Sequence, residues 1–169
     1  MKYILDFDRT LFDTSAYVAA VTQAGLTPAE RITPDVWNRY QVRDFLYPEV
    51  LEWLQSKNQA DIHILTAISP ELGPLATEFQ TQKLRSANLE SLVDGITFMI
   101  GDKGTYVKDI AGTADTVFVD DKLSHHISVK EHAPAVHRVL MQRPGESVES
   151  TSEPGIITVH NLYELDELI

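Results

Sequence analysis

The feature that most constrains this chain is a series of short apolar runs, each of strand length and each closed by polar residues. They lie at Tyr3–Phe7, Ile62–Leu65, Ile96–Ile100, Thr116–Val119, His137–Met141 and Ile156–Val159. Nearly every residue in them is apolar, so the alternation of a strand with one wet face is missing. That pattern belongs to strands covered on both sides. Between the runs stand segments with helical spacing: Val50, Leu51 and Leu54 with Trp53, then Leu72 to Leu84, and finally Leu162 to Leu168. Strands alternating with helices predict an α/β fold with a doubly wound parallel sheet.

Two helix starts carry strong punctuation. Ser69-Pro70-Glu71 and Thr33-Pro34-Asp35 each set a hydroxyl before a proline, followed by an acid suited to the positive end of a helix. Residues 15 to 45 break the alternation, offering helical pattern and no strand. Ser15 to Ala24 closes at Gly25, and Pro34 to Tyr40 forms a second short helix. The stretch is read as a small helical cap inserted after the first strand, with a core formed by 1–14 and 46–169. Arg143 to Pro154, rich in Pro, Gly, Ser and Glu, reads as a loop.

Composition removes several function classes. The chain has 169 residues, which suits one domain able to bury its own core. It has no cysteine, which excludes a disulfide scaffold, a thiol nucleophile and thiolate metal sites. Fourteen Lys and Arg against twenty-five Asp and Glu leave a net charge of −11, so no general nucleic-acid-binding surface is expected. Nothing approaches a membrane-spanning run, and Asp6 interrupts any apolar leader, so a soluble, cytoplasmic protein with no membrane partner is expected.

The informative residues stand where the strands stop. Asp6-Phe7-Asp8-Arg9-Thr10 follows the first run, Thr66 the second, and Asp120-Asp121 the fourth. In an open parallel sheet all carboxyl ends share one edge, where ligands bind. Alternation along an extended chain also sends Asp6 and Asp8 to one side, with Phe7 turned into the core. Several carboxylates on one edge repel unless a cation joins them, and a hard ion with oxygen ligands, Mg2+, is the natural occupant. A carboxylate beside that ion can attack phosphorus. Thr66 can donate to a phosphoryl oxygen and a lysine can neutralise another. Lys108 is preferred for that lysine, at the start of the turn Lys108-Asp109-Ile110-Ala111-Gly112, with Lys103 as the alternative.

Asp6-Phe7-Asp8-Arg9-Thr10-Leu11, a strand ending in Thr66, a lysine, and Val119-Asp120-Asp121 stand in the order that defines the haloacid dehalogenase (HAD) superfamily, which the chain resembles over its whole length. The resemblance implies a Rossmann-like core and, because an acid stands two residues after the nucleophile, the phosphatase branch. It further implies that Asp6 is the nucleophile of an aspartyl-phosphate, and that Asp8 protonates the leaving oxygen and then activates water. Asp120, Asp6 and the backbone carbonyl of Asp8 would hold Mg2+, with Asp121 acting directly or through water. The substrate would be a phosphorylated small molecule or macromolecule. Arg9 departs from the pattern, since the family most often has Gly there. So does the spacing, 12 positions from Lys108 to Asp120 against 17 from Lys103.

Blander roles compete at other positions. His125 and His126 are adjacent and diverge on a helix, which suits the surface or a place behind metal ligands. His63 suits an interstrand contact. Tyr17, Trp37, Tyr40 and Phe45 either line a pocket or pack the cap, and Arg39 and Arg43 either bind a second anionic group or face solvent. Two other functions share some of these groups. A phosphoacceptor receiver domain places its acid pair first and its lysine last, the reverse of the order here. A non-catalytic regulatory module would keep the metal and phosphate site without turnover.

Overall fold

The computed structural model describes residues 1–70, 73–145 and 153–168. Six strands, β1 (Lys2–Leu5), β2 (Ile62–Ala67), β3 (Gly95–Met99), β4 (Thr116–Asp120), β5 (His137–Met141) and β6 (Ile156–Val159), form one parallel sheet in the order β3-β2-β1-β4-β5-β6. The chain builds outward from β1 to β3, returns to place β4 beside β1, and builds outward again. The reversal lies between β1 and β4, the place where open sheets part to admit ligands.

Side chains leave β1 alternately, which divides the core. Ile4, Leu65, Met99 and Phe118 pack under α5 (Gly104–Ala111) and α6 (Leu123–His132) through Val107, Ala111, Val129 and Ala133. Leu5, Ile64, Val117 and Val119 pack on the other face with Trp53 and Leu54 of α3 (Val50–Ser56), Phe79 and Leu84 of α4 (Leu75–Ser86), and Leu165 of α7 (Tyr163–Leu168). Both faces are therefore covered, as the continuous apolar runs require.

The insertion after β1 is helical, with α1 (Thr14–Gln23), a 3-10 turn at Glu30–Ile32, α2 (Pro34–Arg39) and a second 3-10 turn at Val42–Phe45. Asp13 caps α1 by accepting from the Ala16 amide at 2.7 Å, and Gly25, at φ +80°, ends that arm. Trp37 stacks on Phe79 at 5.8 Å, and Phe45 meets Tyr17 edge-on at 5.4 Å, so these rings fasten the insertion to α4 and to itself. Its two ends are joined where Asp13 N donates to Phe45 O at 2.8 Å and Tyr47 N to Leu11 O at 3.0 Å.

Two local expectations change. Thr33 does not cap α2, because its hydroxyl donates backward to the carbonyl of Glu30 at 2.7 Å, in the 3-10 turn just before it. Helix α4 starts at Leu75, while Glu71 and Leu72 lie outside the described residues, as does much of the loop before β6. Helix α6 lacks an apolar stripe in sequence because its buried positions are largely polar: His125, His126 and Ser128, with Val129.

Candidate active site

Asp6 is the first residue past β1 and is still held to the sheet by its amide, which donates to Val119 O at 2.8 Å. A tight turn follows. The amides of Leu11 and Phe12 donate to Phe7 O at 2.8 and 3.0 Å, and Arg9 takes φ +61°, the left-handed region that glycine enters without penalty. Phe7 points into the core and stacks on Phe12 at 5.4 Å, leaving Asp6 and Asp8 on the cavity side. From behind, the buried Arg143 donates to Thr10 O at 2.5 and 3.1 Å and pairs with Glu49 at 2.5 Å, which fixes the turn against the core.

Lys103 stands at the N-cap of α5 with no exposed surface. Its ammonium bridges the carboxylates of Asp6 and Asp120, the latter at 2.7 Å. The structure thus brings Lys103, and not the preferred Lys108, to these carboxylates. Helix α5 begins at Gly104, so Lys108 sits about 7.5 Å further along the helix than Lys103, exposed and outside the cavity lining. The early start is set by packing: Gly104 lies against the backbone of Ser128, where a β-carbon would collide with Ser128 O.

Asp120 is fully buried and gathers further donors. His125 Nδ1 donates to Oδ2 at 2.9 Å, and the Lys122 amide donates to Oδ1 at 2.8 Å. His126 Nε2 donates to the backbone carbonyl of Asp120 at 3.0 Å. Both histidines are thus buried behind an acid rather than at the surface. Burial alone would raise the Asp120 carboxyl, yet Lys103 and His125 hold it well below the ordinary range. Asp6 moves the other way, raised by burial and by Asp120 against the pull of Lys103. Asp121 is pushed up to about 8 by burial and the charges of Asp6 and Asp120, with Arg9 at 3.9 Å and Lys103 pulling down.

One carboxylate oxygen from each of Asp6, Asp120 and Asp121 lies within 4.8 Å of the others. Three acids against one buried ammonium leave an excess of negative charge, which adds to burial in raising Asp6 and Asp121. All-oxygen donors with surplus charge suit a hard divalent cation. Asp8 is not part of this cluster through its carboxylate.

Asp8 is instead held by residues that sequence reasoning overlooked. Lys83 donates to Oδ1 at 2.6 Å, Thr14 to Oδ1 at 2.8 Å and Gln80 to Oδ2 at 2.7 Å. Burial would raise Asp8, but Lys83 leads these partners in keeping it below its usual value. The Lys83 ammonium, itself buried, lies 4.8 to 5.3 Å from the ring centres of Phe12, Phe79 and Phe7. Gln80 also donates to Thr66 Oγ1 at 2.7 Å, so Thr66 accepts there and keeps its own hydrogen to donate elsewhere. The signal was present: Gln80 and Lys83 share a helical stripe with Ala76, Phe79 and Leu84, where a lysine needs a buried partner.

Asp6, Asp8, Thr66, Asp121, His125, Gln80 and Lys83 converge on one cavity of about 440 Å3, roofed by Tyr17, Val18, Arg31 and Ile32 of the insertion. Arg39 and Arg43 are exposed and do not line it, and Trp37, Tyr40 and Phe45 do not either. His63 bonds Thr97 across β2 and β3 at 2.9 Å, away from the site.

No protein-family model and no curated protein matches the chain. Solved structures do. A dehalogenase with an intermediate complex superposes with a TM-score of 0.69 at 14% identity, covering 99% of this chain and 96% of its own. The fold is that of the HAD-like hydrolases. YfnB of Bacillus subtilis, a HAD-hydrolase bound to magnesium, gives 0.62 at 13% identity over 99% and 97%. The UTR4 protein of Saccharomyces cerevisiae gives 0.57 at 15% over 96% and 98%. The likeness in fold thus extends over 96% to 99% of the chain. Among the described residues no helix is long and apolar enough to cross a membrane.

Proposed function

We propose that this protein is a magnesium-dependent phosphatase that hydrolyses a phosphomonoester through an aspartyl-phosphate on Asp6. The observation that carries this reading is the convergence of Asp6, Asp8, Thr66, Lys103 and the Asp120-Asp121 pair around one cavity edge. In a HAD-like fold, an acid two residues after the nucleophile favours phosphoryl chemistry, because a halide leaving group needs no proton.

Asp6, Asp120 and Asp121 would hold the metal, with the backbone carbonyl of Asp8. When bound, the ion offsets charge on the phosphoryl oxygens. An Asp6 carboxylate oxygen attacks phosphorus, and the ester bond breaks as the leaving oxygen takes a proton from Asp8. Lys103 orients Asp6 and neutralises charge beside it, while Thr66, its acceptor side occupied by Gln80, donates to a phosphoryl oxygen. Asp8 begins ionised against Lys83. A phosphate dianion arriving beside it favours its protonated form, and Asp8 takes that proton from solvent before the ester bond breaks. In the second half Asp8 takes a proton from water as that water attacks phosphorus, freeing phosphate and Asp6.

Rapid-quench labelling tests the covalent step. Protein mixed with magnesium and a radiolabelled phosphomonoester, then quenched in acid, should carry a hydroxylamine-sensitive label on the peptide containing Asp6. Turnover without a transient label on that peptide contradicts the covalent route.

A further inference from the structure

Arg31 is the one cation that the insertion contributes to the cavity wall. It lies in the 3-10 turn Glu30–Ile32, and its backbone carbonyl is fixed by the Tyr17 hydroxyl at 2.8 Å. Its guanidinium has one partner, Thr22, whose Oγ1 accepts from Nη2 at 2.9 Å, while Nε is buried with no hydrogen-bond partner. Among the described residues no carboxylate pairs with it. The acids that line the cavity, Asp6, Asp8 and Asp121, belong to the sheet edge and have their own cations in Lys103, Lys83 and Arg9.

A guanidinium offers five N–H groups in a rigid planar fork, and only one is engaged here. In a chain of net charge −11, a cation left without an acid in a substrate cavity is set to receive an acid from outside. Apart from the groups at the sheet edge, much of the cavity lining is apolar, with Phe12, Tyr17, Val18, Ile32, Ala76 and Phe79 among it. Such a lining favours a hydrocarbon or aryl spacer.

Resting on the phosphatase reading of the Asp6 site, we infer that Arg31 is a second anion subsite, and that the substrate is a phosphomonoester carrying a carboxylate on an apolar spacer. The phosphoryl group occupies the Asp6 end, and the carboxylate accepts from the guanidinium N–H groups of Arg31 that Thr22 leaves open. A planar carboxylate fits this fork better than a neutral amide, which adds donors of its own.

Binding separates this inference from turnover. The magnesium-loaded protein is titrated calorimetrically with non-hydrolysable ω-phosphonoalkanoates of graded length and with the matching ω-phosphonoalkanamides. At the best length the carboxylate should bind at least about tenfold tighter than the amide, the loss expected for one charge-assisted hydrogen bond. That ratio should fall to near one in Arg31→Gln, with Arg31→Lys between. The side chain of Arg31 does not carry the Tyr17 contact, so both variants keep that fold contact. Equal binding of acid and amide at every length, or a ratio unchanged in Arg31→Gln, overturns the subsite. A carboxylate preference lost in Arg31→Gln, in a protein that releases no phosphate from any ester, would keep the subsite and remove the phosphatase reading.

Discussion

Replacing Lys103 by methionine removes the one ammonium that lies between Asp6 and Asp120 while keeping much of the side-chain volume. Lys103 and Asp120 have no exposed side-chain surface and Asp6 has 8%, so water cannot take over the lost contacts. Two carboxylates would face one another in a dry site. One can take up a proton, but the other stays charged and loses its main partner. Breaking a buried pair from one side costs about 3–5 kcal/mol. With an unfolding entropy of about 2.1 cal/mol/K per residue over 169 residues, each kcal/mol shifts Tm by about 3 °C, so the melt should fall by roughly 9–15 °C. Lys108→Met, on the exposed flank of α5, should change stability by no more than about 0.5 kcal/mol. The assay is thermal unfolding followed by circular dichroism on chelator-treated protein at neutral pH. Added magnesium should recover part of the loss in Lys103→Met, since a divalent cation supplies the missing positive charge. A Lys103→Met protein that melts within about 2 °C of wild type would refute the reasoning, because no buried ion triad of this kind dissolves without a large cost.

Three further outcomes follow from the same geometry. Asp121 is raised to about 8, so the folded protein without metal holds a proton there at neutral pH, and the stability associated with that proton is full below the ordinary carboxyl value of 3.8 and is lost progressively as pH rises from there through about 8. Magnesium must displace it, so affinity should rise with pH and level off near 8; calorimetry in buffers of differing ionisation enthalpy should show proton release at pH 7, and its absence contradicts the assignment. Gln80→Leu frees the Thr66 hydroxyl from its fixed polarity, and kcat/KM should drop about tenfold, with Gln80→Glu lower still because it adds charge beside Asp8; steady-state kinetics with Gln80→Glu at wild-type rates would contradict it. Gly104→Ala drives a β-carbon into Ser128 O, which should cost about 1–3 kcal/mol in denaturant unfolding, whereas an unchanged midpoint would mean α5 does not approach α6 as described.

The strands were legible because strands buried on both faces write themselves as unbroken apolar runs, and the polar residues that close those runs are the site. Asp6, Thr66 and Asp120 needed only the rule that parallel strands share a carboxyl edge. Helix α6 shows no apolar stripe because the side chains on its buried face are largely polar, with His125 and His126 spent on the carboxylate and carbonyl of Asp120. The choice between Lys103 and Lys108 turned on where α5 begins, which is fixed by a contact between Gly104 and Ser128, 24 positions apart. Lys83 and Gln80 were readable in principle as polar residues inside an apolar stripe. Their acceptor, Asp8, lies 75 and 72 positions away and is brought to them only by the fold. Arg31 had no local mark at all, since its place on the cavity wall depends on how the insertion folds over α4.

The central claim is that Asp6 is the nucleophile of a metal-assisted phosphoryl transfer. Phosphate release from a broad panel of phosphomonoesters, measured with magnesium, with chelator, and with Asp6→Asn, tests it most directly. The account predicts release that chelator suppresses and that Asp6→Asn abolishes. Release that persists at the wild-type rate in Asp6→Asn would contradict it, as would a panel on which the magnesium-loaded wild type releases nothing.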